Sequence, residues 1–201
     1  MRRATLSFIL LAITFFATGC PRYETVRRVS DEQLKIQKSF RENLGVYLGH
    51  MLDFAKNQAA VNKDTLKGLE SDKLAQVRID ANDDFGDIKN PTQEQRDANR
   101  EKLGQAIAFW QATYASKRNE LDDLVKKLAV KHQEILNAYD EIISTQEVLN
   151  KYIQLKKYDE VIVDGLMDKL KINQDKVNGL FKDAADVADT IGKPPAAIAA
   201  K

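Results

Sequence analysis

The residues of this chain that could do chemistry are few: two histidines, one cysteine and a dense set of carboxylates among 201 residues. His50 lies in LGHML and His132 in VKHQEIL, and neither has a second histidine three or four residues away, nor is there an ExxH or HExxH pattern. A di-metal site carried on helices needs such pairs. Each histidine therefore reads as ordinary helix surface or seam edge. In DANDDFGDIKNP, Asp80, Asn82 and Asp84 match the first three alternate oxygen ligands of a calcium loop. The sixth position, which needs glycine for its sharp turn, holds Phe85, and Pro91 stands where the final glutamate belongs. This stretch reads as an acidic helix end and loop, with Asp80, Asn82 and Asp84 as weak metal candidates.

Catalytic patterns are equally sparse. The chain has no GxSxG elbow, no SxxK pair and no GxxxxGK[ST] phosphate loop. Glu120, Asp122, Asp123, Asp140 and Glu141 sit among lysines at helical spacing and read as solvated ion-pair partners, not as an acid/base pair. Lys and Arg total 31 against 30 Asp and Glu, which removes the broad positive field that nucleic-acid binding relies on. No enzyme, no cofactor and no nucleic-acid partner is expected.

The elements that must position these residues are helices. Charged residues make up 30% of the chain, with only nine glycines and four prolines, a composition that favours exposed helix. From Leu103, steps of four and three alternate through Ile107, Trp110, Tyr114, Lys117, Leu121, Leu124, Leu128, Lys131, Ile135, Ala138, Ile142, Thr145, Leu149, Tyr152 and Lys156. Most of these are apolar and no Gly or Pro falls between Gly104 and Gly165, so the run is a heptad seam. Trp110 and Tyr114 are core residues on this seam, or else the lining of a small-ligand pocket. Lys117, Lys131, Thr145 and Lys156 argue against a dry, indefinitely long coil and for pairing with acidic residues of neighbouring helices.

Upstream, Ser30-Asp31-Glu32-Gln33 is a helix-start signature with Ser30 as cap. Phe40, Leu44, Tyr47, Met51, Phe54 and Val61 then recur at helical spacing as an apolar face, with Gly45 and Gly49 beside it as points of close helix approach. Gly86, Asn90 and Pro91 break the helix, and Thr92 caps the next with Gln95 three residues on. Near LKKYDEVI, Lys156 and Asp159 weaken the seam; KKYDEVI locally resembles the turn between the paired helices of tetratricopeptide repeats, although no 34-residue period accompanies it. A third helix capped by Asp159 would bury Val163, Leu166, Leu170, Val177, Leu180, Ala184 and Val187. The alternative is one uninterrupted helix to Ile191, because these residues keep the same register.

The leader has three parts: Met1-Arg2-Arg3, an uncharged stretch from Ala4 to Gly19, and ATGC, residues 17 to 20. That stretch is shorter than the roughly twenty apolar residues of a spanning helix. ATGC resembles the lipobox of bacterial lipoproteins, with Ala17 where leucine is usual. The resemblance implies cleavage before Cys20, a diacylglycerol on its sulfur and covalent acyl groups on Cys20, which would also remove the oxidation liability of a lone exported thiol. Each buried methylene contributes about 0.8 kcal/mol, and several chains give a lasting tether. Pro21 is not the aspartate that the resemblance associates with inner-membrane retention, which favours the outer membrane. Arg22, Arg27 and Arg28 lie close to the lipid, with Glu24 offsetting one charge.

The expected organisation is a signal peptide at 1–19, a lipidated cysteine and linker at 20–29, a helical domain at 30–191 and a loose tail at 192–201. The domain would hold helices of about 30–84, 92–155 and 159–191, as an all-α, elongated antiparallel hairpin or three-helix bundle with coiled-coil character. The expected function is a non-catalytic envelope scaffold or adaptor, held to the lipid bilayer by its acyl anchor and contacting a protein partner or a second copy. Trp110, Tyr114 and Tyr47 are the partner-contact candidates. The alternative is a binding protein that holds a small ligand or metal among Trp110, Tyr114, Tyr47 and His50.

Overall fold

A computed structural model of the chain describes residues 23–86, 90–155 and 160–194. The leader and Cys20, the linker to Arg22, the expected cap Asp159 and the tail from Pro195 lie outside the described residues. Three helices pack together, α1 (Tyr23–Gly86), α2 (Gln93–Gln154) and α3 (Glu160–Gly192), and the class is all-α.

Local chemistry explains most of these limits. Asn90 takes a left-handed φ of 59°, which asparagine tolerates better than most residues. Thr92 then caps α2: its hydroxyl accepts from the Gln95 amide at 3.2 Å, while Gln95 Oε1 accepts from the Thr92 amide at 2.9 Å. This reciprocal pair is the capping box that the sequence predicts. α2 stops at Gln154 and α3 starts at Glu160, so the uninterrupted helix is replaced by two. α1 differs from expectation at its start. Ser30 is not a cap but an interior residue, buried, because no glycine or proline after Pro21 halts the helix and the segment from Tyr23 joins it.

The described residues divide into two compact units. In the first, from residues up to Val46 and from Ile135–Gly179, the core is Leu44, Ile135, Ala138, Ile142, Leu149 and Val177, with Thr145, Gln146, Asn150 and Asn173 buried among them. Arg41 holds Asp140 with two parallel bonds of 2.8 and 2.9 Å, Lys38 pairs with Glu147 at 2.6 Å and Lys176 with Glu141 at 3.4 Å. Asp31 accepts from Asn150 at 2.7 Å and from Gln154 at 3.0 Å, and the Asn150 bond leads in holding its carboxyl below the usual range. The descending order of α2 partners along α1 makes the two helices antiparallel here.

In the second unit, Tyr47–Glu134 with residues from Leu180 onward, the core is Leu48, Ala55, Ala59, Leu66, Tyr114, Leu121, Leu128, Ala184, Val187 and Ile191. Lys63 pairs with Asp122 and Arg118 with Glu70, again antiparallel. Lys131 meets Asp183 of α3 at 3.6 Å and Glu134 at 2.9 Å, the partnership expected of a seam lysine.

The α2 seam is where the alternating steps place it: every described position from Leu103 to Tyr152 is buried or half-buried. The expected α3 face is buried or half-buried as well. The α1 face is not. Phe40, Tyr47, Phe54 and Val61 are exposed, and the helix turns inward Leu44, Leu48, Ala55, Ala59 and Leu66. Small Ala55 and Ala59 fit a close helix contact that aromatic rings would not. Nor do the glycines mark close approach: a Cβ at Gly49 would meet nothing within 4 Å, and one at Gly45 would make only ordinary contacts.

Candidate interaction surface

The chemically capable residues are scattered by the helices. His50 is exposed on α1, while His132 is buried on α2 with neither ring nitrogen hydrogen-bonded. Burial lowers the His132 imidazole below its ordinary value. The sequence signal for this burial was its place one residue after Lys131 and three before Ile135, at the edge of the seam.

Asp80, Asn82 and Asp84 are exposed, and α1 continues past them to Gly86. Residues two apart on a helix point to nearly opposite sides, so the three oxygens do not converge. Asp80 instead accepts from Gln76 at 2.6 Å. Among the described residues no group of three or more His, Cys, Asp or Glu side chains is placed to hold a metal ion, and no helix is long and apolar enough to cross a membrane.

Tyr114 is buried and Trp110 half-buried, with ring centroids 6.2 Å apart. Phe109 meets Trp110 edge-on at 5.3 Å, and Lys73 of α1 lies 4.8 Å from the Trp110 ring centroid, a cation–π contact. Trp110 thus packs opposite Lys73. Tyr47 and His50 lie elsewhere on α1, Tyr47 being roughly 40 Å from Lys73 at 1.5 Å per residue. The four residues proposed to share a ligand are not brought together, and the seam beyond Tyr114 is filled by Leu121 and Leu128. A shallow groove of about 390 Å³ does exist on α2, lined by Phe109, Ala112, Thr113, Ser116, Lys117 and Glu120. It contains neither Trp110 nor Tyr114.

Two stretches are poor in charge: residues 103–116 of α2 include no charged residue and leave Phe109 exposed, and the other lies on α1. From Tyr47 to Asn62 the only charged residues are Asp53 and Lys56, and they pair with each other at 3.2 Å. At 3.6 residues per turn, Tyr47, His50, Phe54, Asn57 and Val61 fall within about 80° of arc, away from the side that buries Leu48, Ala55 and Ala59. Tyr47 is 57% exposed, Phe54 72% and Val61 59%. The helical spacing of apolar residues in the sequence marks Tyr47, Phe54 and Val61, and the structure leaves all three exposed.

Compared with known protein families, curated proteins and solved structures, the chain matches none.

Proposed function

We propose that this chain is a non-catalytic, lipid-anchored helical protein of the bacterial cell envelope, acting as a scaffold, adaptor or assembly component through helix–helix contacts. The observation that carries the reading is the chain's sole cysteine, placed at the end of an uncharged leader in a lipobox-like ATGC. Acyl groups on Cys20 supply the location, with the outer membrane, facing the periplasm or the surface, favoured by Pro21. The helical body supplies contact area. Support for contact over catalysis comes from the dispersal of the histidines and acidic candidates, and from an exposed, uncharged strip on α1 of the kind helices use to dock.

Intact mass of the protein purified from its native membranes tests the anchor. The expected mass lacks residues 1–19 and includes the acyl groups, and a fatty-acid label such as palmitate enters the parent chain but not Cys20→Ser. A mass that retains Met1, or a free sulfhydryl at Cys20, would overturn the reading.

A further inference from the structure

We infer that the groove on α2 between Phe109 and Glu120 is the docking site of the chain's own tail, residues 195–201, which runs on from α3 as a strap. The groove belongs to the second unit and continues the surface that α3 already covers there. Lys131 meets Asp183, and further along Thr190 shares a second shallow hollow with Glu120, Asp123, Leu124 and Lys127. α3 is therefore antiparallel to α2 and points towards the groove, which Glu120 also lines. At about 3.6 residues per turn, Phe109 and Lys127 face the same way, with Thr113, Ser116 and Glu120 between them on that side. Asn62 holds the end of α3 at this place through the carbonyls of Ile191 and Lys193.

Reach and attachment select the occupant. From Glu120 to Phe109 the groove spans about 16 Å of α2 at about 1.5 Å per residue. The tail leaves the anchored Lys193 through Pro194 and Pro195, and a proline-led segment extends about 3.1 Å per residue, so residues 195–201 reach about 20 Å and cover that length. Ile198, the one large apolar residue among them, then falls about 12 Å beyond Pro194, at the level of Ala112 and Thr113 and beside Phe109, whose ring is 62% exposed. Residues 103–116 of α2 and 194–200 of the tail are both uncharged, and the alanines on either side of Ile198 suit a shallow groove. Low charge alone would admit any apolar partner, but a segment joined to α3 at the mouth of the groove is presented at about millimolar effective concentration. Such a contact does not need the area of a free complex.

The contact sets an isoleucine and a ring against the entropy of ordering a short segment, so the strap exchanges between docked and free forms, with the docked form the major one. It covers the uncharged side of α2 in the resting chain and yields to a partner that offers more apolar area.

The test is methyl NMR of the full chain labelled at isoleucine and alanine, and its result does not depend on the state of Cys20. The Ile198 signal is identified by its loss in Ile198→Val, and the Ala112 signal by its loss in Ala112→Ser. The Ile198 methyls are expected to lie upfield of their random-coil position and to show nuclear Overhauser contacts to an aromatic ring, both lost in Phe109→Leu. A chain stopped after Pro194 and the full-length Ile198→Asp variant should shift the Ala112 methyl signal alike, while the helical content of both stays that of the parent. Ten-fold dilution should leave every one of these signals unchanged. An Ile198 signal at its random-coil position, a ring contact that survives Phe109→Leu, or an Ala112 signal unmoved by removal of the tail overturns the inference. A contact that disappears on dilution belongs to a second copy and overturns it as well.

Discussion

The side-chain amide of Asn62 on α1 donates to the main-chain carbonyl of Ile191 at 2.7 Å and to that of Lys193 at 3.2 Å. The last carbonyls of a helix have no partner within it, and here a buried residue from another helix provides one, docking the end of α3 within the second unit. Asn62→Ala leaves the Ile191 carbonyl without its partner, and the expected loss is about 1–2 kcal/mol. Urea unfolding measures the total. Amide hydrogen exchange locates it, with faster exchange confined to the last turns of α3; exchange that rises evenly over all three helices would rule out a local cap.

His132 makes stability depend on pH. Its imidazole is lowered in the folded protein, first by burial, so between the folded value and the ordinary 6.5 the unfolded chain binds more protons. Stability is then complete above 6.5 and falls as pH drops through the folded value. The carboxylates Asp31 and Glu147 are also lowered, by hydrogen bonds from Asn150 and Lys38 respectively, but their losses lie below the ordinary carboxylate values. Melting temperature from pH 7.5 to 5 should therefore decline in the parent and stay flatter in His132→Leu. Parallel curves would show that the histidine does not titrate against the fold.

Gly49 sits in the interior of α1 with open space around it. Glycine in a helix costs about 0.5–1 kcal/mol relative to alanine when nothing demands its missing side chain. Gly49→Ala should raise stability by that amount in chemical denaturation. A destabilised variant would reveal a close approach at this position.

What was legible in the sequence follows from how each face is made. The α2 seam could be read because large apolar residues hold alternating steps from Leu103 to Tyr152, and the Thr92–Gln95 box could be read because it is entirely local. Ser30 carried the same local signature and was overridden, since Tyr23 to Val29 are free to continue the helix. The α1 face is not legible in this way: the inward residues include Ala55, Ala59 and Asn62, which a hydrophobic pattern counts weakly, while Phe54 outweighs them in apolar surface and stands outside. Pairwise helix packing depends on both partners, and α1 alone does not reveal where small residues are needed. The chemical candidates failed for a simpler reason, because a straight helix disperses residues that a loop would have gathered, as at Asp80, Asn82 and Asp84.

The capping box at Thr92 offers a direct energetic check. Thr92→Ala removes the hydroxyl that accepts from the Gln95 amide while leaving the reciprocal Gln95 bond to the Thr92 main chain in place. An N-cap loss of this kind costs about 1 kcal/mol. Thr92→Ser should recover most of it, and a variant pair with equal stabilities would show that the start of α2 is held by something else.

Leu128 and Phe54 separate what the fold requires from what it displays. Leu128 is completely buried on α2, so Leu128→Ala loses transfer energy and leaves a cavity, for an expected cost of about 2–5 kcal/mol. Phe54 is the larger side chain, but 72% of it is exposed, and substitutions away from packed features fall within about 0.5 kcal/mol. Phe54→Ser should therefore leave the unfolding midpoint of the isolated chain nearly unchanged. Equilibrium unfolding at low protein concentration, where no second copy contributes, measures both variants on one scale. A large loss at Phe54 would mean that the ring supports the bundle itself, whereas a silent Phe54 beside a costly Leu128 leaves the aromatic strip of α1 without a role in folding and free for contact with another molecule.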